Sequence, residues 1–172
     1  NINQNAIYLE CFMDELAHSA GLDPVQLRLD HLTDDRATAV IKAACARSGL
    51  VATRQGHGSR GMGLGFARYS NEAGYVAVVV EVDVGETIKV LRAIAAVDCG
   101  RVVSPDGVAN QVEGGIVQAV SWTLKEEVRF DRTRITTRSW DDYPILRFTE
   151  APPVETIIID RPTEPSLGMG EA

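Results

Sequence analysis

The residues best suited to acid–base chemistry close the sequence: Gly168-Met169-Gly170-Glu171. Glycines two apart permit a sharp turn and the close approach of another group. The carboxylate that follows is then aimed at whatever the turn covers. A Gly-Glu pair near a terminus also describes a solvated tail, so the pattern gains meaning only beside a second group. With one residue after Glu171, the sequence reads as a piece of a larger enzyme carrying part of an active site. The second group is a polar stripe, Gln111, Gly114, Gly115 and Gln118. At 100° per residue all four fall on one side of a helix. Each mid-helix glycine is disfavoured by about 1 kcal/mol relative to alanine. Two readings account for tolerating that: tight packing of two backbones, or approach of a polar ligand to which the Gln111 amide offers donor and acceptor.

Other constellations carry less. Gly56-His57-Gly58-Ser59-Arg60-Gly61 matches GxGxxG, but it follows a helix pattern and leads into a strand pattern. A dinucleotide site needs the reverse order. Asp141-Asp142 and Glu126-Glu127 are adjacent pairs whose side chains diverge on extended backbone, so neither forms an acid/base dyad. Cys11, Cys45 and Cys99 fit no disulfide framework or metal-ligand spacing and read as small buried apolar residues. His18, His31 and His57 are scattered, which argues against a metal held by protein ligands. Trp122 and Trp140 read as packing residues.

The elements that must position these groups follow from hydrophobic period. Leu9, Met13, Leu16 and Ala20 recur at three and four, predicting a first helix that stops at Gly21. Asp23-Pro24 is an N-cap with proline at the first helical position, and Val25, Leu29 and Leu32 line the second helix. A third runs from Asp34 or Asp35 to Gly49 through Ala37, Val40, Ile41 and Ala44. The period then changes to two. Val76, Val78, Val80, Val82 and Val84 alternate with Ala77, Val79, Glu81 and Asp83, a strand buried on both faces near Val79. Gly85-Glu86 turns into a partner strand over 87–97. Further strands are expected over 62–69, 124–130 and 154–159. One long helix, capped by Ser104, runs from Pro105 to about Trp122, with Val112, Ile116, Ala119 and Val120 turned to the sheet. The plan is α+β: a helical segment over 1–54, then a mostly antiparallel sheet with a packed helix over 55–172.

Composition bounds the partners. The 172 residues are 45% hydrophobic, enough for a core. The net charge of −7, without a basic block, argues against nucleic acid or an anionic membrane. No run is long and apolar enough to span a bilayer.

Several stretches taken together resemble one family. They are Val97-Asp98-Cys99-Gly100-Arg101-Val102-Val103-Ser104-Pro105-Asp106, Asn110-Gln111-Val112-Glu113-Gly114-Gly115-Ile116 and Gly168-Met169-Gly170-Glu171. They are similar to the large, molybdopterin-binding subunit of the xanthine dehydrogenase/aldehyde oxidase family, and the last is similar to its active-site glutamate loop. Phe12-Met13-Asp14-Glu15-Leu16-Ala17 and Asp23-Pro24-Val25-Gln26-Leu27-Arg28 resemble the helical segment before it. Ser121-Trp122-Thr123-Leu124-Lys125-Glu126 and Tyr143-Pro144-Ile145-Leu146-Arg147 point to the branch of isoquinoline 1-oxidoreductase β subunits and nicotinate dehydrogenase large subunits. The resemblance runs along nearly the whole chain and implies a C-terminal piece of such a large subunit.

It also implies a chemistry. Molybdenum is held by a molybdopterin cofactor rather than by side chains. The intact enzyme oxidises an N-heteroaromatic compound or an aldehyde with oxygen derived from water. Glu171 would be the general base, Gln111 would hydrogen-bond the cofactor, and Gly168 and Gly170 would shape its loop. Electrons would leave through iron–sulfur clusters of a small 2Fe–2S partner subunit, and the remainder of the large subunit would complete the site. The compartment, cytoplasmic or periplasmic, stays open. The piece alone is expected to be inactive, with a glutamate loop that frays for want of support. The competing expectation is a non-catalytic assembly or binding module of the same fold.

Overall fold

The computed structural model describes residues 2–50, 58–69 and 72–170. Three helices come first: α1 (Ile2–Ala20), α2 (Pro24–His31) and α3 (Asp35–Ser48). Their ends are chemically specified. Asp23 accepts from the backbone N–H groups of Val25 and Gln26, and Asp34 from those of Arg36 and Ala37. These bonds satisfy donors left unpaired in a first turn. Gly21 and Gly49 end α1 and α3 in the left-handed region, at φ 67° and 71°.

Strands β1 (Arg60–Arg68), β2 (Tyr75–Val84), β3 (Ile88–Asp98) and β4 (Val154–Ile158) form one sheet in the order β1-β2-β3-β4. The first two pairings are antiparallel and the last is parallel. Parallel neighbours need a crossover, and here it contains α4 (Pro105–Leu124). The double burial expected of β2 is realised. Ala77 and Val79 face a cluster with Ala37, Val40, Ile41 and Ala44 of α3. Val76 and Val78 face the opposite cluster, with Val108, Val112 and Ile116 of α4. Alanines at 93, 95 and 96 keep the centre of β3 thin, so helices settle on both faces.

Three expectations fail here, and α1 turns inward a face that its apolar spacing does not mark. Residues 124–130 are not a strand: Leu124 still belongs to α4, and the segment makes only an isolated bridge between Phe130 and Ile135. Alternation there reports extended chain without a neighbour to pair with. The stripe Leu9, Leu16 and Ala20 of α1 is exposed. The face turned inward carries Ala17, which is buried, with Glu10 and Met13 half-buried. An ionic clamp selects that face. Buried Arg28 of α2 reaches Asp14 at 2.7 Å and Glu10 at 3.0 Å, while Glu10 also accepts from the Phe66 N–H of β1 at 3.1 Å. Trp122 and Trp140 are not packed inside: Trp140 is 79% exposed and meets Tyr143 edge-on at 6.2 Å. Of the cysteines, Cys99 is buried and Cys45 intermediate, but Cys11 is exposed.

Candidate functional site

The site is built on α4. Ser104 Oγ accepts from the Gly107 N–H at 3.2 Å and Pro105 occupies the first turn, so the helix starts sharply. Val108 and Val112 are buried against the sheet and Ile116 half-buried, which turns Gln111, Gly114, Gly115 and Gln118 outward. Ala119, expected toward the sheet, is exposed with them. A Cβ added to Gly114 or Gly115 would meet nothing within 4 Å. Among the described residues, no second backbone packs on these glycines.

The stripe instead borders an open groove of about 930 Å³. Val76 and Val78 of β2 form its floor, and Tyr69 also lines it. Trp122, Ile145 and Leu146 form a wall, and Met169 and Gly170 line it from the chain's last segment. The wall is tied to the helix by side chains. Buried Ser121 Oγ accepts from the Leu146 N–H at 2.9 Å. The Tyr143 hydroxyl donates to Glu126 at 2.7 Å, which holds the phenol above its ordinary pKa. Lys125 pairs with Glu150 at 2.5 Å. Floor and wall are apolar while the helix edge offers amides, the division expected of a small-molecule site.

Gln111 and Gly170 are thus brought to one groove. Gly168 is not in its lining. It adopts φ 78°, and its carbonyl oxygen lies 3.3 Å from where a Cβ on Gly74 would stand. Glu171 lies outside the described residues, as do Gly56 and His57.

The segment leading to Gly170 makes contacts with the sheet and its clusters as far as Met169. The Leu167 N–H donates to the Cys99 carbonyl at 2.8 Å, and the Arg161 N–H to the Gly100 carbonyl at 3.2 Å. Leu167 packs with the α3-side cluster and Met169 with the α4-side cluster. The strap therefore crosses the end of the sheet with one anchor on each face. Gly100, at φ 75°, allows the crossing: a Cβ there would lie 2.0 Å from the Pro165 carbonyl oxygen.

Beneath the strap lies a charged cluster that residue spacing did not single out. Asp98 is fully buried at the end of β3. It accepts from Arg36 of α3 at 2.5 and 3.1 Å, from Arg161 of the strap, and from the Gly100 N–H at 3.0 Å. Burial pushes its pKa up, but Arg36, Arg161 and the Gly100 N–H outweigh burial and hold the carboxyl below its usual range. Arg36 also lies over the Tyr75 ring at 4.8 Å, and Arg68 over the same ring at 4.3 Å. The signal was an acid ending the apolar run 93–97, since a carboxylate there requires a buried cation.

The comparisons with known proteins agree with this architecture. A family model described as a molybdopterin cofactor-binding domain matches residues 11–152. A nicotinate dehydrogenase chain of Pseudomonas putida is 36% identical over 98% of this chain and 16% of that protein. The beta chain of isoquinoline 1-oxidoreductase from Brevundimonas diminuta is 34% identical over 88% of this chain and 20% of that protein. The structure of reconstituted CO dehydrogenase from Oligotropha carboxidovorans superposes with a TM-score of 0.52 at 26% identity, over 57% of this chain and 13% of that one. The chain belongs to the molybdopterin cofactor-binding domain family of the xanthine dehydrogenase/aldehyde oxidase enzymes. It spans about a fifth or less of the length of these curated relatives.

Proposed function

We infer that the groove between α4 and the strap is this chain's share of a molybdenum-cofactor site in a hydroxylase acting on an N-heteroaromatic compound or an aldehyde. The observation that carries this reading is the meeting of Gln111, the open face of Gly114 and Gly115, and Gly170 around one groove. The residues fit such a group. The exposed helix edge offers amide donors and acceptors and bare backbone, suited to a large polar cofactor. Among the described residues no three His, Cys, Asp or Glu side chains are gathered to hold a metal, and molybdopterin brings its own sulfur ligands. When bound, that cofactor supplies the redox chemistry.

This chain's residues do the rest. The Gln111 amide holds the cofactor's polar edge. The glycine face admits it close to the helix axis. Trp122, Ile145 and Leu146 offer an apolar wall beside that space, which suits a flat heteroaromatic ring once the rest of the enzyme covers it. Glu171, one residue beyond Gly170, would be the carboxylate that accepts a proton during the hydroxylation, the redox change being supplied by the cofactor. A carboxylate suits that task, because desolvation in a closed site raises a carboxylate's basicity. The electrons leave by iron–sulfur clusters on a small partner subunit, and the remainder of the large subunit closes the cavity. The names of the relatives, one a nicotinate dehydrogenase and one an isoquinoline oxidoreductase, support the heteroaromatic class.

Glu171→Gln in the assembled enzyme tests the assignment. A general base predicts a fall in kcat of roughly two to four orders of magnitude with cofactor content intact. Unchanged turnover would favour a non-catalytic assembly module.

A further inference from the structure

We propose that Asp98 is a positioning residue for the strap of residues 161–170, setting where Gly170 meets the groove through the Arg161 guanidinium. The proposal rests on the functional reading of the groove only for its consequence; its geometry stands alone. Asp98 is fully buried, yet it is bound by two cations from different parts of the chain, Arg36 on α3 and Arg161 at the start of the strap. Arg36 belongs to the core layer and is held besides by its contact with the Tyr75 ring. Among the described residues the Arg161 guanidinium bonds to Asp98 alone, so there it is held to the core through Asp98.

The consequence follows from connectivity. Asp98, Cys99 and Gly100 are consecutive, and each holds a different part of the strap. Asp98 takes the Arg161 side chain, the Gly100 carbonyl takes the Arg161 N–H, and the Cys99 carbonyl takes the Leu167 N–H. The ion pair and the Gly100 bond hold the first residue of the strap, and the Cys99 bond directs its path to Leu167. Six residues after Arg161, Leu167 enters one hydrophobic cluster, and Met169 enters the other two residues later. Releasing Arg161 leaves a buried carboxylate with one cation fewer and loosens the entry of the strap, while the sheet keeps its own ladders. Strap order is therefore separable from core order.

Amide hydrogen exchange on the whole chain tests this without any cofactor. In Arg161→Gln the Leu167 amide should exchange at least tenfold faster, while the amides of Val79 and Ile94 at the centre of the sheet keep their protection. Arg161→Lys, which retains the charge, should recover most of the loss. Unchanged exchange at Leu167 overturns the proposal. So does equal acceleration at Val79 and Ile94, which would make the pair a general core contact, or failure of Arg161→Lys to recover protection. Loss of the Glu171 assignment would leave these results unaffected, so the two readings fail separately.

Discussion

Gly114 and Gly115 are the residues at which the two readings of α4 part most sharply. Among the described residues neither meets anything that would oppose a methyl group. Gly114→Ala should therefore stabilise the isolated chain by about 0.5–1 kcal/mol, through helix propensity and reduced unfolded-state freedom. If a cofactor lies against that face, the same methyl group should lower the molybdenum content of the assembled enzyme. Urea denaturation of the chain and metal analysis of the enzyme give the two measurements. A stabilised chain with full molybdenum content would show that the glycines admit nothing. The same distinction explains what residue types reveal. Glycine and glutamine at helical spacing mark a face that is neither core nor ordinary surface, and the sequence alone displays this. It does not say whether a second backbone fills the space, because that depends on elements far away in the chain.

At the scale of elements, α3, β3 and the strap meet at Asp98. Folding lowers the pKa of this carboxyl despite burial. The folded state thus binds fewer protons than the unfolded state in acid. The stabilisation is complete above the ordinary aspartate value of about 3.9 and is lost as pH falls through the lower folded value. Asp34, which accepts from the Tyr75 hydroxyl, is lowered too and adds in the same direction. The stability advantage of the wild type over Asp98→Asn should hold from pH 7 to about 5 and shrink below about 4. A constant advantage down to pH 3 would mean that the charge of Asp98 contributes nothing. The elements themselves were legible where local chemistry is decisive. Asp23-Pro24, Asp34, Ser104, Gly21 and Gly49 mark helix ends by bonds made within a few residues. Residues 124–130 were misread because alternation specifies extended backbone but not a pairing partner. The inward face of α1 was not legible from apolar spacing, because the Arg28 clamp sets it by joining carboxylates of α1 to a cation on the next helix.

At the scale of the whole molecule, the exposed apolar surface is the main feature. Leu9 and Phe12 on α1, Phe130, Trp140 and Phe148 on the long connection before β4, and Trp122 at the groove are all exposed, Phe148 at 96%. Isolated apolar side chains on a surface are ordinary, but this many large ones on three segments suit further protein contacts. Among the described residues no helix is long and apolar enough to cross a membrane. The groove is open along one side, and this chain covers only 16% and 20% of the two curated relatives. The isolated chain should therefore carry less than stoichiometric molybdenum and show no hydroxylase activity. Metal analysis and an assay with a heteroaromatic substrate check this, and full metal with turnover would refute it.

The sequence by itself determined the α+β plan, the helix caps, the double burial of β2 and the family, because these rest on local bonds, on period and on contiguous motifs. It also named Gln111 and Gly170. Only the tertiary structure decided that these two share a groove, that the glycine face is open, and that a buried aspartate ties the strap to the core. Each of those facts joins residues dozens of positions apart, and such distances are set by packing rather than by neighbours along the chain.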